Sequence, residues 1–273
     1  MRKTGLIIAA AALALTACDP GPAAAPPAAP ATLTAPVTDV AQLVAGIRAG
    51  IAETPSATFA MTAVLGTTTS DVPGSLTLDG GRGSLTMVIQ GSETRVIHGR
   101  TYTRMPQEII PGKQWMGADP DSADPVSRAM AGGEALIQKL PDLGWALLVA
   151  ERSGRIVSAE QTRLGTQPVN HYRLEIDGAK APELFPEFAH RGADDKVDKP
   201  MTAKLPAELW LDAARRPVRF AVDLTTAAPK NTQGDPTVKA TTDYRGWGKA
   251  VEIPVPPADQ VADIAELMKK MGT

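Results

Sequence analysis

Few side chains in this 273-residue sequence are suited to covalent or metal chemistry: one cysteine, Cys18, and three histidines, His98, His171 and His190. A single thiol makes no internal disulfide. The histidines fall into neither HExxH nor HxH spacing, the patterns that bring two imidazoles to one metal, so no metal site is expected and each histidine reads as structural or superficial. The sequence contains no GxSxG elbow, P-loop or GxGxxG, which leaves hydrolase and nucleotide chemistry without a motif. Asp194 and Asp195 are adjacent in a charged stretch, where they serve solubility better than an acid–base dyad. The four tryptophans, Trp115, Trp145, Trp210 and Trp247, are expected at separate core or edge positions. No cofactor is implied, and the chain reads as a non-enzyme. A formal net charge of −2 and a pI near 6.0 lack the basic excess that a phosphate backbone demands, which argues against nucleic acid as a partner.

Cys18 stands apart because of what precedes it. Arg2 and Lys3 are followed by an apolar run from Leu6 to Ala17. The run is about a dozen residues long, short of the roughly 20 that span a bilayer, and reads as the apolar region of a signal peptide. Leu15, Thr16 and Ala17 then match the bacterial lipobox: a branched apolar residue, two small ones that let the peptidase approach the bond, and the thiol that takes diacylglycerol as a thioether. Residues 1–17 are therefore expected to be a lipoprotein signal peptide and Cys18 the lipidation site. At about 0.8 kcal/mol per buried CH2, two acyl chains already give stable anchoring, so the expected location is the extracytoplasmic face of the cell membrane. Losing Arg2 and Lys3 takes the basic count from 28 to 26 against 30 acids, about −4 for the mature chain. On that net charge anionic headgroups are not expected to attract the chain strongly, and lipid rather than charge holds it.

Residues 18–36 form an Ala/Pro-rich tether, too poor in large apolar residues to pack and inclined to polyproline II geometry. From Asp19 to Pro36, at roughly 3.1 Å per residue, it reaches up to about 55 Å. Residues 37–273 are expected to form one domain, with 43% apolar content over the whole chain supplying a core.

Apolar positions at three- and four-residue spacing predict a first helix over 37–53, capped by Thr38 or Asp39. Period-two alternation follows at Phe59, Met61, Ala63 and Leu65; at Leu76 and Leu78; at Leu85, Met87 and Ile89; and from Ile97 through Tyr102. Residues 79–83 read as a hairpin turn. Asp124 and Pro125 open a helical stretch holding Val126, Met130, Leu136, Ile137 and Leu140, after which 143–148 is an apolar segment too short to cross a membrane. Strands resume at 156–164 and at Tyr172, Leu174 and Ile176, whose opposite face, with His171, Arg173, Glu175 and Asp177, is expected in solvent. Residues 178–204 read as a long excursion, and 212–217 as a turn. Alternation returns at Leu209 and Leu211, at Val218 to Leu224, and at Val238, Ala240, Thr242 and Tyr244. A closing helix is expected on Val261, Ile264, Leu267, Met268 and Met271. Nine or ten strands, mostly in hairpin order, make an α+β fold: one large curved antiparallel sheet with helices packed on its concave face.

The lipobox ending in Cys18, the first helix and its Thr/Ala-rich strand, the segments 96–102, VNHYRLEID (169–177), ELWLDAARRPV (208–218) and TTDYRGWGKAVEIPVPP (242–257) form an ordered set. It resembles the actinobacterial LppX/LprA/LprF/LprG lipoprotein family, whose half-barrel is similar to the LolA/LolB carriers. The charged run 194–199 departs from the family pattern. The resemblance implies an apolar cavity that accepts acyl chains of a lipid or glycolipid, and a carrier role within the cell envelope with a lipid transporter as a further candidate partner. Long featureless chains need apolar area rather than directed polar groups, which fits the residues expected to line the cavity: Phe59, Met61, Leu85, Met87, Leu136, Leu147 and Phe220. If Met61 and Met87 lie on neighbouring strands and face that gap, replacing either with Trp should fill acyl-chain volume. The alternative is an anchored envelope interaction module whose core is filled by its own side chains.

Overall fold

Alternating apolar residues, interrupted by short turns, fold most of the chain into strands, and only three segments carry the spacing and caps of described α-helices. The structure, a computed structural model, describes residues 32–79, 82–108, 110–119, 121–124, 139–180, 203–227 and 237–271. The elements are α1 (Val40–Ala52), β1 (Ser56–Leu65), β2 (Thr68–Asp79), β3 (Arg82–Ile89), β4 (Ser92–Ile97), β5 (Arg100–Arg104), β6 (Trp115–Ala118), α2 (Leu143–Ser153), β7 (Gly154–Leu164), β8 (Gln167–Asp177), β9 (Lys204–Leu211), β10 (Pro217–Asp223), β11 (Val238–Arg245), β12 (Val261–Asp263) and α3 (Ile264–Met271).

All twelve strands join one open, curved sheet in the order β12-β6-β5-β4-β3-β2-β1-β11-β10-β9-β8-β7. The pairing is antiparallel throughout except between β12 and β6, so the sheet is mixed rather than purely antiparallel. Three further departures from the expected pattern have local causes. His98 and Gly99 adopt positive φ values of 51° and 88°, which turn the chain and split the expected 97–102 run between β4 and β5. Val261, expected in the closing helix, pairs with Trp115 in β12 instead. The apolar segment after 142 is a helix, because the Asp142 carboxylate accepts from the Gly144 and Trp145 backbone N–H groups at 2.9 and 3.3 Å and starts α2.

α1 begins at Val40, three residues later than expected, since Asp39 rather than Thr38 is the cap; its carboxylate accepts from the Gln42 N–H at 2.9 Å. Leu43, Val44, Ile47 and Ile51 are buried along one side of α1 and join Leu143 and Leu147 of α2 against the inner face of the sheet. Bulges between Ile156 and Ser158 and between Pro217 and Arg219 shift the ladder and add local bend and twist. The second falls at Val218, expected as an inward residue and only partly buried; Phe220, back in register opposite Leu209 and Thr242, faces inward at the margin of the buried cluster and is also only partly buried.

The outer face has a smaller apolar centre at the β4–β6 side. There Ile97, Tyr102 and Trp115 pack with Ile253 and Val261. Ile253 belongs to a strap that follows β11, held by the Gly248 N–H on the Ser56 carbonyl (2.9 Å), the Trp247 indole N–H on the Pro217 carbonyl (2.8 Å) and the Arg95 guanidinium on the Pro254 carbonyl (2.7 Å). The helical stretch expected from Asp124 and Pro125 and most of the 178–204 excursion lie outside the described residues.

Candidate lipid-binding face

The sheet register decides which of the expected lining residues meet. Phe59 on β1 lies opposite Gly74 on β2, and Gly74 lies opposite Met87 on β3. One step along, Met61 sits between Val72 on β2 and Thr242 on β11, and Thr242 faces Phe220 on β10. Leu85 pairs with Leu76. Met61 and Met87 are thus not on neighbouring strands: β2 runs between them. Phe59, Met61, Leu85, Met87 and Leu147 all belong to one buried cluster between the sheet and the helices, and Phe220 packs against its margin. Met61 and Met87 are both 0% exposed. Leu136 and Cys18 lie outside the described residues.

Polar groups also reach this face. Thr242 and Tyr244 are buried, and the Tyr244 hydroxyl donates to the Pro141 carbonyl at 3.3 Å. Burial, reinforced by the nearby Asp142 charge, pushes the Tyr244 phenol far above its ordinary range. Burial also raises the Asp142 carboxyl, against the opposing pull of the Trp145 and Gly144 N–H groups and the Lys139 charge. The sequence signal for this pair was an aspartate ahead of an apolar run and a tyrosine in phase with Val238 and Ala240; what linked them was a tertiary contact.

At the surface, Arg48 of α1 makes a two-pronged ion pair with Glu151 of α2 at 3.1 and 2.7 Å. The guanidinium holds the Glu151 carboxyl below its usual range. Three hollows border the described residues: a void of about 20 Å³ beside Asn170, Tyr172 and Arg215; a cleft of about 240 Å³ over β9–β11 near Ala221; and one of about 330 Å³ between the strap and β5–β6, near Tyr102 and Val255. None of these three is lined by the expected cavity residues.

His171 departs from its expected solvated setting. It lies on the outer face but is 8% exposed, stacked on Trp210 with ring centres 4.5 Å apart, its Nε2 at 2.6 Å from Glu208 and its Nδ1 at 3.5 Å from Glu160. The cross-strand pairs Glu160–His171, His171–Trp210, Trp210–Arg219 and Arg219–Asp243 form a continuous outer row. The ring of His171 is committed to packing. Among the described residues, no group of three or more His, Cys, Asp or Glu is placed to hold a metal ion, and no helix is long and apolar enough to cross a membrane.

No family model and no curated protein matches the chain. Among solved structures it is similar to the lipoprotein LppX of Mycobacterium tuberculosis, at 13% identity and a TM-score of 0.43 over 78% of this chain and 99% of that one. It is also similar to LprF of Mycobacterium bovis, at 13% identity and a TM-score of 0.40 over 81% and 99% of the two chains. A LolA superfamily protein from Nitrosomonas europaea gives 9% identity and a TM-score of 0.35 over 80% and 96%.

Proposed function

We propose that this chain is an envelope lipoprotein, anchored through Cys18, that takes acyl chains of a lipid or glycolipid against the inner face of its sheet and carries them within the cell envelope. The observation that carries the reading is the continuous apolar cluster in which Phe59, Met61, Leu85 and Met87 of the sheet meet Leu147 of α2. Aliphatic chains offer no directed contacts, so such a face is the chemistry that receives them, and unbranched methionines can repack around a variable guest. Burying a chain of about sixteen carbons yields roughly 12 kcal/mol gross, most of it offset because the donor bilayer is equally apolar. That balance suits transfer rather than permanent capture.

Complete burial of Met61 and Met87 supports a second reading, an interaction module whose core its own side chains fill. Mass spectrometry of lipid co-purifying with the full chain, together with fluorescent fatty-acid binding by Met61→Trp and Met87→Trp, separates the two. A carrier yields bound lipid, and its tryptophan variants lose binding more than stability. A filled core yields no lipid, and its variants lose about 1 to 3 kcal/mol through overpacking. The anchor has its own test: Cys18→Ala should leave the detergent phase that retains the parent protein.

A further inference from the structure

Asn170 of β8 is 3% exposed, and among the described residues its Oδ1 is the one buried side-chain nitrogen or oxygen without a hydrogen-bond partner. The other end of the amide is committed. Nδ2 donates to the Thr34 carbonyl at 3.0 Å, and the same carbonyl accepts from the Gln161 side-chain amide, also at 3.0 Å. Turning the Asn170 amide over would set oxygen against oxygen, so the network fixes Oδ1 away from Thr34. A buried acceptor held in that way costs free energy unless something donates to it.

The void of about 20 Å³ beside Asn170 is bounded by the N-terminal segment, α1, β8, the end of β9 and the β9–β10 turn. Its walls are mixed: Leu43 and Leu211 are apolar, whereas Tyr172 and Arg215 bring donors. The Tyr172 hydroxyl accepts from the Val37 N–H at 3.2 Å. Burial raises the phenol above its ordinary range, against smaller opposing pulls from that N–H and from the Arg215 charge, so the hydroxyl keeps a proton to donate. Arg215 runs over the bare backbone of α1, since a β-carbon on Gly46, which also borders the void, would lie 3.2 Å from its Cδ and 3.3 Å from its Nη1. The side chain is exposed and covers the void from the solvent side. Its backbone sits in the left-handed region at φ 61°, which a residue with a side chain seldom adopts, and such strain persists where the surroundings hold it.

We propose that this void is a binding site for one water molecule, which donates to Asn170 Oδ1 and accepts from the Tyr172 hydroxyl or the Arg215 guanidinium. A buried water needs about 10 to 15 Å³ and two to four polar partners, and the site supplies both. Other occupants of that size do not match its chemistry. A halide has no proton to give Oδ1, and a metal cation would face the Arg215 charge. The water ties β8 to the β9–β10 turn, and that turn touches α1 directly: a β-carbon on Gly50 would lie 2.3 Å from the Ala214 carbonyl. It thereby helps to hold α1, whose apolar side covers the inner face of the sheet, against β8. The site is independent of the lipid-carrier reading.

A crystal structure of the full chain, with and without a bromide soak, tests the occupant. One density peak is expected in the void, within about 3.2 Å of Asn170 Oδ1, with no anomalous signal from bromide. An empty void, a bromide peak inside it, or an Oδ1 turned onto a protein donor overturns the proposal. Oxygen-17 magnetic relaxation dispersion, which counts long-lived waters, tests it in solution. Asn170→Leu keeps the shape of the side chain and removes the acceptor, and should carry one long-lived water fewer than the parent. Arg215→Gly relaxes the left-handed backbone and uncovers the void, so it reports on the site even if Asn170→Leu fails to fold. It too should lose one long-lived water while its circular dichroism stays unchanged. A count equal to the parent's in either folded variant overturns the proposal.

Discussion

The ring of Phe59 occupies the space that a β-carbon on Gly74 would take, one strand away in direct register. The Thr86 carbonyl closes the same space from the other neighbouring strand. Glycine is therefore required at 74 by contact, so that an aromatic side chain can lie flat across β2 toward Met87. Gly74→Ala should destabilise the domain by about 1 to 3 kcal/mol through overpacking, read as a lower midpoint of urea unfolding. Gly66→Ala is the contrasting control: nothing lies within 4 Å there, and only its φ of +62° opposes a side chain.

That contact shows what alternation alone conveys. The phase of Phe59, Met61 and Ala63 along β1, and of Val238 to Tyr244 along β11, was legible because each strand has one apolar side; Leu65 kept the phase but is 42% exposed at the strand's end. Which strands are neighbours was not legible, because β1 pairs with β11 across 170-odd residues of chain and no local spacing encodes that closure. Bulges likewise leave no mark that separates Val218 from a regular inward residue. α2 was missed since Leu143, Leu147 and Leu148 make too short a pattern, although Asp142 supplied a cap signal. The expectation for Cys18 rests on contiguous residues alone and draws on no fold.

The Arg48–Glu151 pair joins α1 to α2 at the surface, where solvent screening limits its worth. A double-mutant cycle with Arg48→Gln and Glu151→Gln should give a coupling below about 1 kcal/mol, falling further in high salt. The pH dependence has a definite sign. Glu151 is held below its usual range by Arg48, so its contribution is present above the unfolded-state carboxylate value and is lost as pH falls through the lowered folded one. Urea midpoints of the parent and Glu151→Gln should converge in acid; a gap that widens there would show the pair is not the source.

The expected tether and the segment seated on β8 should respond differently to change. Removing residues 23–31 should leave the melting temperature nearly unchanged, since Ala/Pro-rich sequence has little apolar surface to bury. Tyr172→Phe, which removes the hydroxyl that accepts from the Val37 N–H, should lower stability by about 1 kcal/mol. Equal losses from both changes would mean that the 23–31 segment also packs.

Asp142 offers the sharpest contrast between a cap and a charge. Its carboxylate accepts two N–H groups at the start of α2, yet burial outweighs them and raises its proton affinity. Asn caps a helix as well as Asp, whereas Ala does not and costs about 1 kcal/mol. Because the folded-state value is raised, the stabilising linkage is complete below the unfolded-state aspartate range and is lost as pH climbs through the folded value. Burial thus opposes the ionised form in the folded protein, a charge that an asparagine in its place never carries. Asp142→Asn should gain in unfolding temperature relative to the parent as pH rises through the folded value, and the gain should shrink toward acid. Asp142→Ala should be destabilised at both ends of the range. A parent more stable than Asp142→Asn at neutral pH, with the order reversing in acid, would show instead that the helix N–H groups hold the ionised carboxylate more strongly than burial opposes it.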